Sequence, residues 1–217
     1  MSSVYIYVVD RDFGFAPNPY HGVCTLACCK PSLRSTARVG DWVFGFGGSR
    51  LKATGHCIYG MRVTQTMTFD DYWSNPAFTA KRPVRNGSRV MMLGDNIYYR
   101  ASADASWNQL DSHHSAPDGS PNPANILNDT RINKVLASED FVYFGQNAPK
   151  VPSYILEDIG YENRIGHRVF SLEVAKELVR WFEDISFGKL NEIVGDPFQF
   201  GQSGARYSVE SNKTVAE

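Results

Sequence analysis

The chain has 217 residues, with 22 Lys+Arg against 23 Asp+Glu, a formal net charge of −1, and 42% hydrophobic and 13% aromatic residues. This suits one generous domain, or a domain with an added lobe, that buries a core of ordinary size. It excludes a fibrous or disordered protein and wholesale attraction to nucleic acid, while leaving room for a local basic patch.

"VYIYVV" (residues 4–9) is β-branched and aromatic throughout and predicts a first strand. With no basic n-region and no apolar run of the ~18 residues a span needs, the expectation is a cytoplasmic protein without a membrane partner. "DRDFGFAPNPYHG" reads as an irregular loop stiffened by two prolines. "VCTLACC" (23–29) fits a strand or a short helix. "SLRSTARVG" follows Pro31 as a turn of helix closing at Gly40, and "DWVFGFGG" is a strand with a glycine-rich end.

"GHCIYGMRVTQTMTF" (55–69) is the longest strand candidate; alternation places Cys57, Tyr59, Met61 and Val63 on one face and Ile58, Gly60 and Arg62 on the other. "DDYWSNPAF" reads as a helical turn ended by Asn-Pro, and "RVMMLGDNIYYR" as two short strands around Gly94-Asp95. Residues 101–129 are rich in Ser, Asp, Asn and Pro and predict a long polar loop, functional or disordered. "NKVLASEDFVYFG" returns to strand character. "SLEVAKELVRWFEDI" (171–185) is amphipathic and predicts a helix with Ser171 as N-cap, its mixed-sign polar face solvated. The remainder reads as an unstructured tail.

The order of basic turn, Gly-Asp-apolar strand, spacer and long strand between Arg34 and Trp73 resembles the PUA-like barrels, the class that includes the EVE, YTH and ASCH domains. A closer likeness rests on "GFAPNPYHGVCTLACCKPSLR", "GDWVFGFGG", "DNIYYR", "DSHHSAPDG" and "VLASEDFVYFGQNAPKVP". Over roughly Tyr5 to Pro152 these are similar to the bacterial and phage family called nucleotide modification associated domain 2. The resemblance implies a cytoplasmic protein of a DNA-modification or phage-defence system that handles modified nucleotides or nucleic acid, DNA with modified bases above all. It supplies no reaction.

The expected fold is therefore α+β: a PUA-like mixed β-barrel with peripheral helices over residues 1–152, then a C-terminal helical extension and flexible tail over 153–217. Four clusters carry chemistry. Lys30, Arg34 and Arg38 form a basic turn that can clamp phosphates while Trp42 or Phe13 stacks on a base; the rival reading is a solvated turn with Trp42 in the core. In the stiff loop 13–19, Asn18 can read a base edge, or the loop is structural only. In "QLDSHHS", Asp111 and His113 are the candidate acid–base pair if the protein is an enzyme, with Ser112 and His114 closing over a ligand; chance clustering in a polar loop is the rival. "GFGGSR" lacks the ending of a phosphate-binding P-loop and reads as hairpin punctuation, an anion nest with Arg50 being the alternative. Cys24, Cys28, Cys29 and Cys57 lack the spacing of a zinc knuckle, so neither metal nor cofactor is expected, and they read as small buried residues. The leading function is recognition of a modified base or nucleotide. An enzyme acting on one is the alternative, and a non-catalytic interaction module the third reading.

Overall fold

The alternation in the first strand puts Val4 and Ile6 on one side and Tyr5 and Tyr7 on the other, and both sides are buried. A strand of that pattern belongs in the interior of a sheet covered on both faces. The computed structural model, which describes residues 2–164 and 166–215, places it there. The strands are β1 (Ser3–Val9), β2 (Cys24–Leu26), β3 (Trp42–Gly47), β4 (Cys57–Arg62), β5 (Gln65–Met67), β6 (Tyr98–Tyr99), β7 (Asn108–Gln109), β8 (Val135–Ser138), β9 (Asp140–Tyr143), β10 (His167–Ser171), β11 (Glu192–Ile193), β12 (Arg206–Ser208) and β13 (Lys213–Val215). The helices are α1 (Pro31–Thr36), α2 (Phe69–Ser74), α3 (Arg89–Met92), α4 (Pro123–Thr130), α5 (Ser153–Asp158) and α6 (Lys176–Ile185).

Six strands form the main sheet in the order β10-β1-β3-β4-β9-β11, parallel at β1–β3 and β9–β11 and antiparallel elsewhere. One face, with Val4, Ile6, Trp42, Phe44 and Phe46, is covered by Ile155 of α5 and by Leu178, Val179 and Phe182 of α6. The other face, with Tyr5, Tyr7, Val43, Tyr59 and Met61, packs on Leu26 of β2, Leu33 of α1 and Leu136 of β8. A second sheet, β2-β8-β5, arises because β4–β5 and β8–β9 bend together as one ribbon. Ser138 marks the corner, its hydroxyl donating to the Arg62 and Asp140 carbonyls. The mixed α+β class is as expected. The barrel is not: among the described residues β10 and β11 are edges and no closed barrel is found. The ribbon turns a corner instead of continuing round to meet β10. No helix is long and apolar enough to cross a membrane among the described residues.

Several local expectations change for identifiable reasons. A bulge between Gly45 and Phe46 of β3 opposite β4 makes Ile58 the extra residue, so Cys57 joins the α6 face while Ile58 joins Tyr59 and Met61. Ser88 caps α3 where a strand was expected, its hydroxyl accepting from the Met91 amide. Ser171 does not cap α6, because it is the last residue of β10 and pairs with Ser3; the helix starts at Lys176. The 153–217 segment is no appendage: β10 extends the sheet beside β1, and β11 extends it beside β9. Further along, Tyr207 N–H donates to the His113 carbonyl.

Helix α6 sits close to the sheet because β4 offers it a glycine. A Cβ added at Gly60 would lie 2.6 Å from the Phe182 ring and 2.7 Å from that of Phe44. Overpacking of this kind costs about 1–3 kcal/mol. Gly60→Ala is expected to lower the urea midpoint accordingly, and to cost less in a Phe182→Leu background, where one of the two rings is gone.

Candidate active site

The residues between Phe13 and Phe15, the end of "CTLACC" and the polar segment 101–129 converge on one cleft of about 510 Å3. Its floor holds Phe13, Phe15, Cys29, Lys30, His113 and His114, with Tyr207 and Arg131 on its walls. That volume falls in the range of small-molecule sites. Part of the polar segment is built into the interior. Ser112, His113, His114, Ser115, Asn125 and Asp129 are all buried. The Asn125 amide spans the segment, donating to the His114 carbonyl at 2.7 Å and the Tyr207 carbonyl at 2.5 Å, while Gln109 Nε2 also reaches the His114 carbonyl.

Cys29, His114 and Asp129 form a chain of contacts. Cys29 Sγ lies 3.6 Å from His114 Nε2, and His114 Nδ1 donates to Asp129 Oδ2 at 2.8 Å. Asp129 is completely buried and also accepts from Tyr98 OH at 2.8 Å, from the Cys29 amide at 2.8 Å and from Asn128 Nδ2 at 3.1 Å. A sulfur, an imidazole and an orienting carboxylate in this order are the parts of an activated thiol nucleophile. Cys29 and Lys30 also carry left-handed backbone, φ 61° and 43°. Each such non-glycine conformation costs on the order of 1–3 kcal/mol and persists only where its surroundings impose it. Here Arg34 does so from inside α1. Its Nε donates to the Cys29 carbonyl at 2.9 Å, and its Nη atoms donate to the carbonyls of Asp129, Ile132 and Lys134.

The two adjacent histidines are driven apart. Burial pushes His114 down, but the Asp129 carboxylate and the Cys29 sulfur more than offset it, raising its pKa to about 10. Burial pushes His113 down to about 3, helped by neighbouring His114, against the hydrogen bond from its Nδ1 to the Ala205 carbonyl at 2.5 Å. Burial also pushes up Asp129, yet His114 and Arg34 keep it below the usual carboxylate range. The thiols of Cys24, Cys28 and Cys57 are buried, and that burial pushes each up.

Cys28, His114 and Asp129 each place one donor atom within 4.8 Å of the others. The donor set does not suit a metal. The Asp129 oxygens are already engaged by four donors, the Nδ1 of His114 among them, so two of the three residues are committed to each other.

Of the residues singled out in the sequence, the cleft gathers Phe13, Lys30, His113 and His114. The others lie elsewhere. Asp111 pairs with Arg206 and Arg85, away from His113, so these two do not form an acid–base pair. The Ser112 hydroxyl is turned inward to the His114 amide. Asn18 is buried, bonded to the Lys81 ammonium and the Leu93 carbonyl. Arg34 is buried as described, Arg38 is exposed beyond the end of α1, and the two do not form a clamp. Trp42 stacks on Phe44 and meets Phe182 on the opposite face of the sheet. Sequence reasoning missed Cys29 and the role of Asp129. The available signal was a cysteine set directly before a Lys-Pro helix start, with His and Asp further along the chain.

A Cys–His–Asp constellation in a cleft on an α+β scaffold defines a candidate thiol-dependent enzyme. A family model for nucleotide modification associated domain 2 matches residues 1–204, and the chain belongs to that family. No curated protein and no solved structure matches it.

Two outcomes follow. In a pH titration of 15N-labelled imidazoles, His114 stays doubly protonated up to about pH 10 and His113 singly protonated down to about pH 3. The raised pKa of His114 contributes stability below its ordinary value of 6.5 that is lost as pH rises through about 10. The lowered pKa of His113 contributes stability above 6.5 that is lost as pH falls through about 3. Separately, Arg34→Ala removes a buried guanidinium from four carbonyls, that of Asp129 fully buried, and is expected to cost at least about 3 kcal/mol by urea denaturation, against no more than about 0.5 kcal/mol for Arg38→Ala.

Proposed function

We propose that this protein recognises a modified base or nucleotide, in DNA or released from it, and acts on it through Cys29 within a nucleotide-modification system. The observation that carries the reading is the Cys29–His114–Asp129 chain opening into the cleft. Family membership supports the nucleotide class of ligand. So do the volume of the cleft and the cations Arg11, Lys30 and Arg131 along it, against one carboxylate, Asp10.

The chemistry follows from the parts. The thiolate is the nucleophile of a cysteine, and the doubly protonated His114 imidazole, its Nε2 against Sγ, is the counter-ion for it. Sulfur attacks an electrophilic carbonyl carbon on the modified nucleotide and forms a C–S bond. The C–N or C–O bond to the leaving group then breaks, and that group takes the proton from His114. Water gives a proton to the now neutral imidazole and cleaves the resulting thioester, releasing the acid and restoring the thiolate beside the charged imidazole. Asp129 accepts from Nδ1, keeps Nε2 turned to sulfur and stays ionised throughout. The reaction class is hydrolysis or transfer of an acyl-type group.

Iodoacetamide labelling with peptide mapping tests the nucleophile. Cys29 is expected to react, and Cys24, Cys28 and Cys57 to stay protected until the chain unfolds. His114→Ala should slow Cys29 labelling at pH 7 at least about tenfold, because the thiolate loses its cationic partner. Hydrolysis of N4-acetyl-2′-deoxycytidine 5′-monophosphate, a carbonyl-bearing modified nucleotide, should be lost in Cys29→Ala. Labelling of Cys29 that is indifferent to His114 would sink the reading.

A further inference from the structure

The proposed reaction uses His114 and leaves its neighbour unexplained. His113 is buried, lines the same cleft and packs between the rings of Phe13 and Phe15, at centroid distances of 4.5 and 5.1 Å. Its Nδ1 lies 2.5 Å from the Ala205 carbonyl oxygen. A carbonyl only accepts, so Nδ1 carries the proton. The nearby charges are all cationic or paired elsewhere: His114 on one side, Arg85 and Arg11 beyond it. A second ring proton is therefore disfavoured, and Nε2 is left as a bare acceptor. Among the described residues Nε2 has no hydrogen-bond partner. A site this apolar would suit a phenyl ring equally well if packing were the whole purpose. Nε2 is not sealed off but opens into the cleft, so once a ligand displaces water there, the donor it needs belongs to that ligand.

At the rim the demand is opposite. Lys30 reaches the Val8 carbonyl only at 3.4 Å and lies 4.7 Å over the Tyr7 ring, so most of its donor capacity is unspent. Arg131 is exposed at the same cleft. Cys29 adjoins Lys30 in the chain.

We infer that His113 is a specificity-determining residue: its Nε2 accepts a hydrogen bond from an N–H on the base edge of a nucleotide whose phosphate lies toward Lys30 and Arg131. This rests on the nucleotide reading above and sharpens it. A ligand satisfies the floor only if it carries a donor there. A base alkylated at that nitrogen leaves Nε2 unpaired and pushes a methyl group against it, and sites built to pair a polar group reject analogues that lack it.

The test uses protection of Cys29 from iodoacetamide in the full-length protein. The probes are thymidine and deoxycytidine 5′-monophosphates, each paired with its N3-methyl or N4,N4-dimethyl analogue. At least one parent nucleotide is expected to protect Cys29, with the methylated partner needing at least about ten times the concentration. In His113→Leu the parent and methylated forms should protect equally. In His113→Gln, which retains a carbonyl acceptor, the preference should return. In the wild-type protein the 15N shift of His113 Nε2 should move with the parent nucleotide and not with its methylated partner, a readout that does not depend on the Leu variant folding. If no nucleotide protects while Cys29 labelling still depends on His114, this inference falls and the thiol chemistry stands. Protection that ignores methylation also overturns it. Loss of the His114 dependence would instead be the failure of the catalytic reading.

Discussion

The Asp129 carboxylate has no solvent exposure, yet it stays below the usual carboxylate range because every nearby group answers its charge. It takes hydrogen bonds from the Cys29 amide, the Asn128 side chain, the Tyr98 hydroxyl and the His114 ring, and Arg34 lies beside it. A buried anion is tolerable only when paired and hydrogen-bonded in this way. Those same bonds fix the sulfur-bearing residue, orient the imidazole and close α4 onto α1. Placement of the thiol and folding of the polar segment are thus one event: neither the Cys29 loop nor residues 101–129 has its geometry without the other.

Arg34 completes that arrangement from the opposite direction. Its guanidinium gathers four carbonyls, two of them belonging to Cys29 and Asp129. A planar fork with five donors is suited to such a task, and a lysine is not. The strained backbone at Cys29 and Lys30 is held between this fork and the Asp129 carboxylate. The strain then serves to project sulfur toward the cleft instead of into the core, where Cys28, the preceding residue, lies.

Adjacent His113 and His114 show how far environment outweighs residue type. One ring faces a carboxylate and carries charge; the other faces a carbonyl among phenyl rings and does not. Neighbouring titratable groups pushed apart in this manner are a mark of divided acid–base roles. The C-terminal segment is what separates them: Ala205 receives the His113 proton bond and Tyr207 covers His114. A stretch that reads as a polar tail is therefore part of the wall of the site.

By itself, the sequence determined the apolar alternation of β1, the strand character of β3, β4 and the 133–145 region, the amphipathic α6 and the family likeness. Each of these depends on neighbours within a few residues, which is the range over which periodicity speaks. It also marked Phe13, Lys30, His113 and His114 as chemically notable. Only the tertiary structure decided that Arg34 is a buried tie and not a phosphate clamp, that Trp42 lies under α6, and that Asp111 belongs to Arg206. It alone joined Cys29 to His114 and Asp129, residues 85 and 100 positions further along the chain. A hydrogen-bond partner is chosen by distance and angle in space, and along this chain no local pattern encodes which carboxylate will meet which imidazole.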